Sequence, residues 1–192
     1  FTKYMRLLII DNYDSFTYNL KHMCELYVSK IDVIRNDVLD IDSVHIYDKI
    51  IISPGYGLPR DAGLSIEVVN QFYQKKPILG ICLGAQVIAE FFGAELFNLT
   101  HVMHGKKTSI NILDNNGILY KNIPKSIMVG RYHSWAINIK SNSDFITTAK
   151  DNHGIVMSFR HINYPLIGIQ YHPESFLTDY GQDILRNWLT NI

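Results

Sequence analysis

The sequence predicts an α/β protein with a mostly parallel central sheet, helices on both faces of that sheet and a small antiparallel addition. Between residues 6 and 92, apolar runs typical of buried strands alternate with segments of helical character. Strands that are apolar on both sides are typical of parallel sheets covered by helices. From residue 95 to residue 161 the pattern changes to short strands and turns, which predicts the antiparallel addition. The chain then returns to the parallel sheet.

Five segments predict the strands of the parallel sheet because their apolar residues run with little alternation. They lie at residues 6–11, 31–35, 49–53, 78–82 and 166–171. In the antiparallel region, Asn115, Asn116 and Gly117 predict one turn. No internal repeat, low-complexity tract or linker interrupts this order.

Four segments predict helices, at residues 15–28, 64–74, 85–92 and 179–189. In the first of them, one face at helical spacing carries Phe16, Leu20, Met23, Cys24 and Tyr27. That spacing predicts that Cys24 is a core residue. Asp14 or Ser15 is the expected N-cap of the same helix.

Length and composition limit the classes of function. A chain of 192 residues is long enough for a substantial core, so we expect one domain over residues 1–192. The formal net charge is zero, which argues against electrostatic capture of nucleic acid or of an anionic membrane. No apolar run is long enough to cross a bilayer, and the residues given before Met5 do not predict a signal peptide. Residues 1–4 are expected to be an added segment or a short natural extension.

The segment GICLGAQ at residues 80–86 carries most of the chemical information. Cys82 lies between a predicted strand and a predicted helix, with Gly80 and Gly84 two positions away on either side. A strand that turns sharply into a helix needs such small neighbours, as in the G-x-S-x-G nucleophile elbow. A helix N-terminus also favours a thiolate, so we predict that Cys82 is a nucleophile. A disulfide to Cys24 would destroy the nucleophile, which favours a reducing, cytoplasmic location.

A nucleophilic cysteine needs a base, and the base needs a group that orients it. His172 and Glu174 follow the last predicted strand, and residues i and i+2 of an extended segment point to the same side. Pro173 fixes its own φ and favours an extended His172. We therefore predict that Glu174 holds one ring nitrogen of His172 while the other faces Cys82. Each residue alone is compatible with an ordinary structural role, but the two motifs together favour catalysis.

With these motifs the chain resembles the class I glutamine amidotransferases, which are Cys-His-Glu glutaminases. Within the class it is similar to the small subunits of anthranilate synthase and of aminodeoxychorismate synthase. The matching segments are residues 8–20, 35–37, 52–57, 62–63, 80–86, 103–106, 131–134 and 170–175. Residues 11–17 (DNYDSFT) and 103–106 (MHGK) point to the branch of the class that uses chorismate. The resemblance implies a flavodoxin-like fold and L-glutamine as the substrate.

The resemblance also implies which residues bind the substrate. The N–H groups of Gly57 and Leu83 would stabilise the oxyanion, and such a donor is typically worth about 3 kcal/mol of barrier. Gln86 lies one helical turn after Cys82, and its side chain would contact glutamine. Backbone groups of residues 55–57 and 134–135 would contact glutamine as well. The substrate-binding set is Gly55, Tyr56, Gly57, Leu83, Gln86, Ser134 and Trp135. The alternatives are an ordinary tight turn at residues 53–57, a solvated Gln86 and a plain strand end at Ser134.

A further implication is a partner, the chorismate-binding large subunit of a synthase, which receives the ammonia by a protected path. We assign residues 12–17 and 103–107 to the partner surface and to coupling, although Lys106 and Lys107 are also compatible with a solvated pair. No cofactor is expected in this subunit. No metal is expected either, because neither His104 nor His133 belongs to a cluster with metal-ligand spacing.

Three positions depart from the common pattern of this family. Tyr56, Ala85 and Trp135 stand where relatives commonly carry proline, histidine and a small aliphatic residue. None belongs to the proposed triad, so we expect these residues to affect the affinity for glutamine and the coupling to the partner rather than the class of reaction. The sequence leaves open whether the partner makes anthranilate, aminodeoxychorismate or both. A stand-alone γ-glutamyl cysteine hydrolase and a non-catalytic binding subunit are the rival hypotheses, and the intact Cys82, His172 and Glu174 disfavour the second.

Overall fold

The computed structural model describes residues 4–114, 117–141 and 143–192. Its strands are β1 (Arg6–Asn12), β2 (Lys30–Arg35), β3 (Lys49–Gly55), β4 (Ile78–Ile81), β5 (Glu95–Ile112), β6 (Ser126–Asn138), β7 (Phe145–Asp151), β8 (Val156–His161) and β9 (Leu166–Ile169). Its α-helices are α1 (Thr17–Cys24), α2 (Ser65–Phe72), α3 (Leu83–Phe91) and α4 (Gly181–Asn191). Short 3₁₀ helices occur at Ile41–Ile46, Pro59–Asp61 and Ile118–Tyr120. Residues 1–3 and the predicted turn residues Asn115 and Asn116 lie outside the described residues.

The strands form one mixed sheet in the order β2-β1-β3-β4-β9-β8-β7-β5-β6. The first five are parallel to one another, and their order is that of a doubly wound, flavodoxin-like sheet. Neighbouring strands β4 and β9 pair Gly80 with Gly168 and Ile81 with Ile169. Because they run in the same direction, their carboxyl ends lie side by side at one edge of the sheet. The predicted fold class is confirmed.

Successive residues of the parallel strands enter two different cores. In β1, Leu7 and Ile9 pack in a cluster that includes Cys24 of α1 and Trp188 of α4. Leu8 and Ile10 belong to a cluster on the other face, with side chains of α2 and α3. Burial on both faces explains why the strands read as continuous apolar runs.

The antiparallel addition is larger than predicted. Strands β5 and β6 have 18 and 13 residues, so the expectation of short strands throughout this region is wrong. Most of β5 is exposed, which leaves little apolar alternation to reveal a strand. Its pairing with β6 shifts register between Asn98 and Met103 and again between His104 and Lys106. Such irregularities bend a hairpin, and residues 132–135 of β6 line a cleft beside Cys82.

Helix boundaries differ from the sequence prediction mainly at the first helix, which ends at Cys24 rather than at residue 28. Phe16 occupies the N-cap position without a side-chain cap, so the prediction of Asp14 or Ser15 is wrong. The Asp14 carboxylate accepts the N–H of Phe16 instead, at 2.8 Å. Cys24 is fully buried, as predicted, and burial raises the pKa of its thiol to about 12. Helix α3 begins directly after Cys82, two residues earlier than predicted.

Within the described ranges, no helix has both the length and the apolar composition needed to span a membrane.

Candidate active site

Cys82 occupies a strained backbone position between β4 and α3. Its φ of 51° and ψ of −104° lie in a region that residues with a side chain seldom adopt. The N–H of Cys82 donates to the carbonyl of Ile169 at 2.7 Å, which holds the turn against β9. The residue is 5 % exposed. This is the geometry of a nucleophile elbow, with the thiol at the start of a helix.

The two glycines that flank the elbow are there for steric reasons. A Cβ added to Gly80 would stand 2.3 Å from the carbonyl oxygen of Gly84. A Cβ on Gly84 would stand 2.2 Å from the carbonyl oxygen of Ile52 in β3. Both obstacles are backbone atoms, which do not move aside as flexible side-chain ends do. Gly80 and Gly84, the small neighbours that the elbow pattern predicts, therefore allow α3 to pack closely against β3 and β4.

His172 and Glu174 form a buried pair just beyond β9. Nδ1 of His172 lies 2.6 Å from Oε1 of Glu174, and the two side chains are 2 % and 0 % exposed. Burial by itself lowers the pKa of His172. The adjacent Cys82 and Glu174 favour the imidazolium and outweigh that effect, so the pKa of His172 lies well above its ordinary value. Among the described residues, Nε2 of His172 has no hydrogen-bond partner. Cys82 therefore lies near the buried pair of His172 and Glu174, and the triad formed by the three residues stays a prediction.

A cleft of about 210 Å³ opens beside Cys82. Its walls contain every residue of the predicted substrate-binding set. The lining residues are Gly55, Tyr56, Gly57, Cys82, Leu83, Gln86, Tyr132, His133, Ser134 and Trp135. The volume is below the roughly 300–1,000 Å³ of pockets for drug-sized ligands, so it suits a ligand the size of one amino acid. A larger cavity, of about 470 Å³ near Leu166 and Ile192, lies at the opposite end of β9 and contains neither Cys82 nor His172.

The oxyanion-binding role expected of Gly57 and Leu83 is compatible with their positions. Leu83 is the first residue of α3, where backbone N–H groups have no partner within the helix. Gly57 has a φ of 82°, which favours glycine, and it lies on the wall of the same cleft. Tyr56, one of the three departures from the family pattern, is 73 % exposed.

A buried polar chain that the sequence did not predict supports the far wall of the cleft. Arg131 and Asp151 form an ion pair at 2.6 Å, with side chains 1 % and 3 % exposed. Nε of Arg131 donates to Nε2 of His133 at 3.0 Å, so the proton of the neutral ring lies on Nδ1. Nδ1 then donates to the carbonyl of Trp135 at 2.8 Å. This chain fixes the backbone at residues 133–135.

His133 should make the protein sensitive to acid. Burial, with the nearby Arg131 charge, lowers the pKa of His133 from 6.5 to about 4. Between pH 6.5 and pH 4, His133 is protonated in the unfolded chain but stays neutral in the folded chain. Stability should therefore be complete above pH 6.5 and decline as the pH falls towards 4, by about 3 kcal/mol from this group.

The variant His133→Gln should lose this part of the acid sensitivity. The measurement is urea unfolding of both proteins at several pH values between 4 and 7.5. The difference between their free energies of unfolding should change with pH in that interval. Parallel curves would show that His133 does not titrate as its burial demands.

An aromatic cluster connects both branch-specific segments to His172. The ring of Tyr132 lies edge-on to His172, with centroids 4.8 Å apart. Phe16, from the segment at residues 12–17, contacts both rings, at 5.5 Å from Tyr132 and 6.1 Å from His172. His104, from the segment at residues 103–107, lies edge-on to Tyr132 at 5.7 Å. Sequence reasoning missed Tyr132, although the RYHS motif at residues 131–134 contains it.

The segment at residues 12–17 is not a surface segment throughout, which corrects its assignment to the partner surface. Asn12 and Thr17 are 3 % and 0 % exposed. The N–H of Asn12 donates to Oγ of Ser53, and its amide donates to the carbonyl of Ser53, both at 2.9 Å. Asn12 thus anchors the strand end that leads into the loop at residues 55–57. Tyr13 and Ser15 remain exposed.

The segment at residues 103–107 is largely exposed, with only Met103 half-buried. Lys107 pairs with Asp179 at 3.0 Å, so it is not simply solvated. Across the described part of the chain, no group of three or more His, Cys, Asp or Glu side chains is arranged to hold a metal ion.

Comparison with known proteins identifies the family. Residues 8–192 match the family described as glutamine amidotransferase class-I. The chain is 44 % identical to anthranilate synthase component 2 of Pyropia yezoensis, over 95 % of this chain and 98 % of that protein. It is 38 % identical to aminodeoxychorismate/anthranilate synthase component 2 of Bacillus subtilis, over 95 % of each chain. This chain belongs to the class I glutamine amidotransferases.

Two solved structures are similar to this chain. A protein from Thermoplasma acidophilum, provisionally described as one subunit of a GMP synthase, superimposes with a TM-score of 0.86 at 28 % identity, covering 97 % of this chain and 93 % of that one. A glutamine amidotransferase from Thermotoga maritima superimposes with a TM-score of 0.72, covering 90 % and 77 %. Its sequence is only 15 % identical, so this second likeness concerns the fold alone.

Proposed function

We propose that this chain is the glutaminase subunit of an anthranilate synthase. It hydrolyses L-glutamine to glutamate and ammonia, and it delivers the ammonia to a larger, chorismate-binding subunit. The observation that carries the proposal is the cleft in which Cys82 shares its walls with all of the predicted glutamine-binding residues. The names of relatives that match almost the whole chain support the pathway.

Catalysis begins with attack on the side-chain amide of glutamine. The thiolate of Cys82 bonds to the amide carbon, and the former carbonyl oxygen takes up negative charge. The N–H groups of Gly57 and Leu83 bind this oxyanion. The raised pKa of His172 keeps its imidazole protonated beside the thiolate, so Nε2 carries the proton that the leaving nitrogen needs.

The second half of the reaction releases glutamate. Transfer of the proton from His172 expels ammonia and leaves a γ-glutamyl thioester on Cys82. The neutral His172 then removes a proton from water, which attacks the thioester, while Glu174 keeps the ring oriented through Nδ1. These steps use side chains and backbone alone, so the proposal includes no metal or cofactor in this subunit.

The ammonia requires a partner that encloses it. Free ammonia becomes ammonium at neutral pH and loses its nucleophilic lone pair, so a protected path has a chemical purpose. We assign the face around Tyr13, Tyr56 and residues 103–107 to the synthase subunit. The contacts of Phe16 and His104 with Tyr132 support coupling between this face and His172. A nucleophile that must stay reduced favours the cytoplasm as the location.

A second candidate is the same role in aminodeoxychorismate synthase, alone or in addition to anthranilate synthase. The Bacillus subtilis relative, whose name gives both activities, favours a subunit that serves both pathways. In this proposal the partner, rather than the glutaminase, decides where chorismate is aminated.

Assays with and without partner test the proposed function. Glutamate release from L-glutamine is measured for the purified chain without a partner. It is then measured with an anthranilate synthase large subunit and chorismate, and separately with an aminodeoxychorismate synthase large subunit and chorismate. Glutamate release should be slow in isolation and strongly stimulated by the partner, and anthranilate should form in the first complex. Stimulation by both partners would support a shared subunit.

Two other outcomes would contradict the proposal. Full glutamine or γ-glutamyl peptide hydrolysis by the chain alone, with no effect of either partner, would identify a stand-alone hydrolase. Binding to a partner without any glutamate release would identify a non-catalytic subunit.

A further inference from the structure

Gln170 lies directly against the reactive sulfur. It follows the last residue of β9, and its backbone N–H donates to the carbonyl of Met157 at 2.8 Å. The residue is 1 % exposed. Its side-chain nitrogen Nε2 lies 3.7 Å from Sγ of Cys82, within hydrogen-bonding range for the large sulfur atom. The mechanism described above gives this amide no role.

A chain of hydrogen bonds fixes which end of the Gln170 amide faces the sulfur. The carbonyl oxygen of Trp135 only accepts hydrogen bonds, so the amide of Gln86 must turn its NH₂ group towards it, at 3.1 Å. The same NH₂ group donates to Oε1 of Gln170 at 3.2 Å. With its oxygen engaged by Gln86, Gln170 presents its own NH₂ group to Sγ.

Reversing either amide would break this chain. A reversed Gln86 would place its oxygen against the carbonyl oxygen of Trp135, and a reversed Gln170 would place NH₂ against NH₂. The carbonyl of Trp135 is itself held by Nδ1–H of His133 at 2.8 Å. The polarity therefore follows from main-chain and side-chain chemistry, not from an arbitrary choice of amide orientation.

We propose that Gln170 is a catalytic residue whose amide N–H stabilises the thiolate of Cys82. A buried thiolate that accepts an N–H is stabilised relative to the thiol, because hydrogen bonds to a charged group are stronger than those to a neutral one. In the proposed mechanism His172 supplies an imidazolium beside the sulfur, and Gln170 adds a neutral donor that does not titrate. The role in glutamine hydrolysis depends on the proposed function, whereas the effect on the sulfur does not.

Two variants of Gln170 separate hydrogen bonding from packing. Gln170→Met has a similar length and no donor, and Gln170→Glu keeps the shape but replaces the NH₂ group by oxygen. The probe is iodoacetamide, and the measurement is the rate of alkylation of the Cys82 peptide as a function of pH, followed by mass spectrometry. Both variants should be alkylated roughly 10- to 100-fold more slowly near neutral pH, with profiles displaced to higher pH. Gln71→Met, at an exposed glutamine of α2, should match the parent protein.

Kinetics of the complex with a synthase subunit complete the test. The kcat for glutamine-dependent synthesis should fall by a similar factor in both Gln170 variants, with synthesis from ammonium salts unchanged. A folded Gln170→Met protein with an unchanged alkylation profile would overturn the inference, and if that variant does not fold, the same result with Gln170→Glu would do so. If the Gln170 variants showed displaced alkylation profiles while the parent protein hydrolysed no glutamine even in the complex, the inference would stand and the proposed function would fail.

Discussion

Replacement of Cys82 by alanine should abolish glutamine-dependent synthesis and leave synthesis from ammonium salts intact. The alanine variant has no sulfur to form the γ-glutamyl thioester, so glutaminase turnover should fall by at least about 10³-fold, as is usual when a nucleophile is removed. The partner's own reaction needs only ammonia. The measurement is product formation by the complex with glutamine and, separately, with ammonium chloride at a pH that supplies free ammonia.

Cys24→Ala is the matched control, because it removes the same group from a buried position in α1. It should cost some stability through lost packing but leave both reactions close to normal. If Cys82→Ala abolished synthesis from both nitrogen sources, the substitution would have disrupted the complex. If it left glutamine-dependent synthesis unchanged, Cys82 would not be the nucleophile.

The second large effect is expected at Gly84, where alanine should destabilise the protein although helix propensity predicts the opposite. In an ordinary helix interior, Gly→Ala stabilises by about 1 kcal/mol. Here the new Cβ would stand 2.2 Å from the carbonyl oxygen of Ile52, so α3 must move away from β3. We expect a net loss of about 3 kcal/mol in the free energy of unfolding. Glutaminase activity should fall too, because the same shift displaces Cys82 and Leu83.

Gly93→Ala provides the comparison, since it lies just after α3 and no heavy atom comes within 4 Å of the position that its Cβ would occupy. Its φ of 81° still makes alanine unfavourable, by about 1 kcal/mol. Urea unfolding of the two variants should therefore give clearly different losses, with activity retained only by Gly93→Ala. Equal losses would mean that the contact between Gly84 and Ile52 is not rigid.

The parts of the site that sequence predicts well are those set by local geometry. The elbow at residues 80–84 needs small residues at fixed positions around Cys82, and His172 and Glu174 are two residues apart on one extended segment. Neighbouring parallel strands then bring these two motifs to the same edge of the sheet. Because period and spacing carry this information, the fold class and the proximity of Cys82 to His172 and Glu174 follow from the sequence.

The remaining features depend on pairings between distant residues. Gln86 meets Gln170, and Arg131 meets Asp151, only after β4, β6, β7 and β9 have taken their places in the sheet. Nothing in the residues around Gln170 marks its amide as a donor to sulfur. The length of β5 was hidden for a different reason, since its exposed residues lack the alternation of a half-buried strand.

The most direct test of the active site is covalent labelling with a chloroketone analogue of L-glutamine, followed by peptide mapping. The analogue places an electrophilic carbon close to where the cleft would hold the amide group. One label should appear, on Cys82, and excess L-glutamine should prevent it. The His172→Asn variant should react much more slowly, because its thiolate lacks the imidazolium. Labelling of another residue in a glutaminase-active preparation, with Cys82 unmodified, would contradict the account.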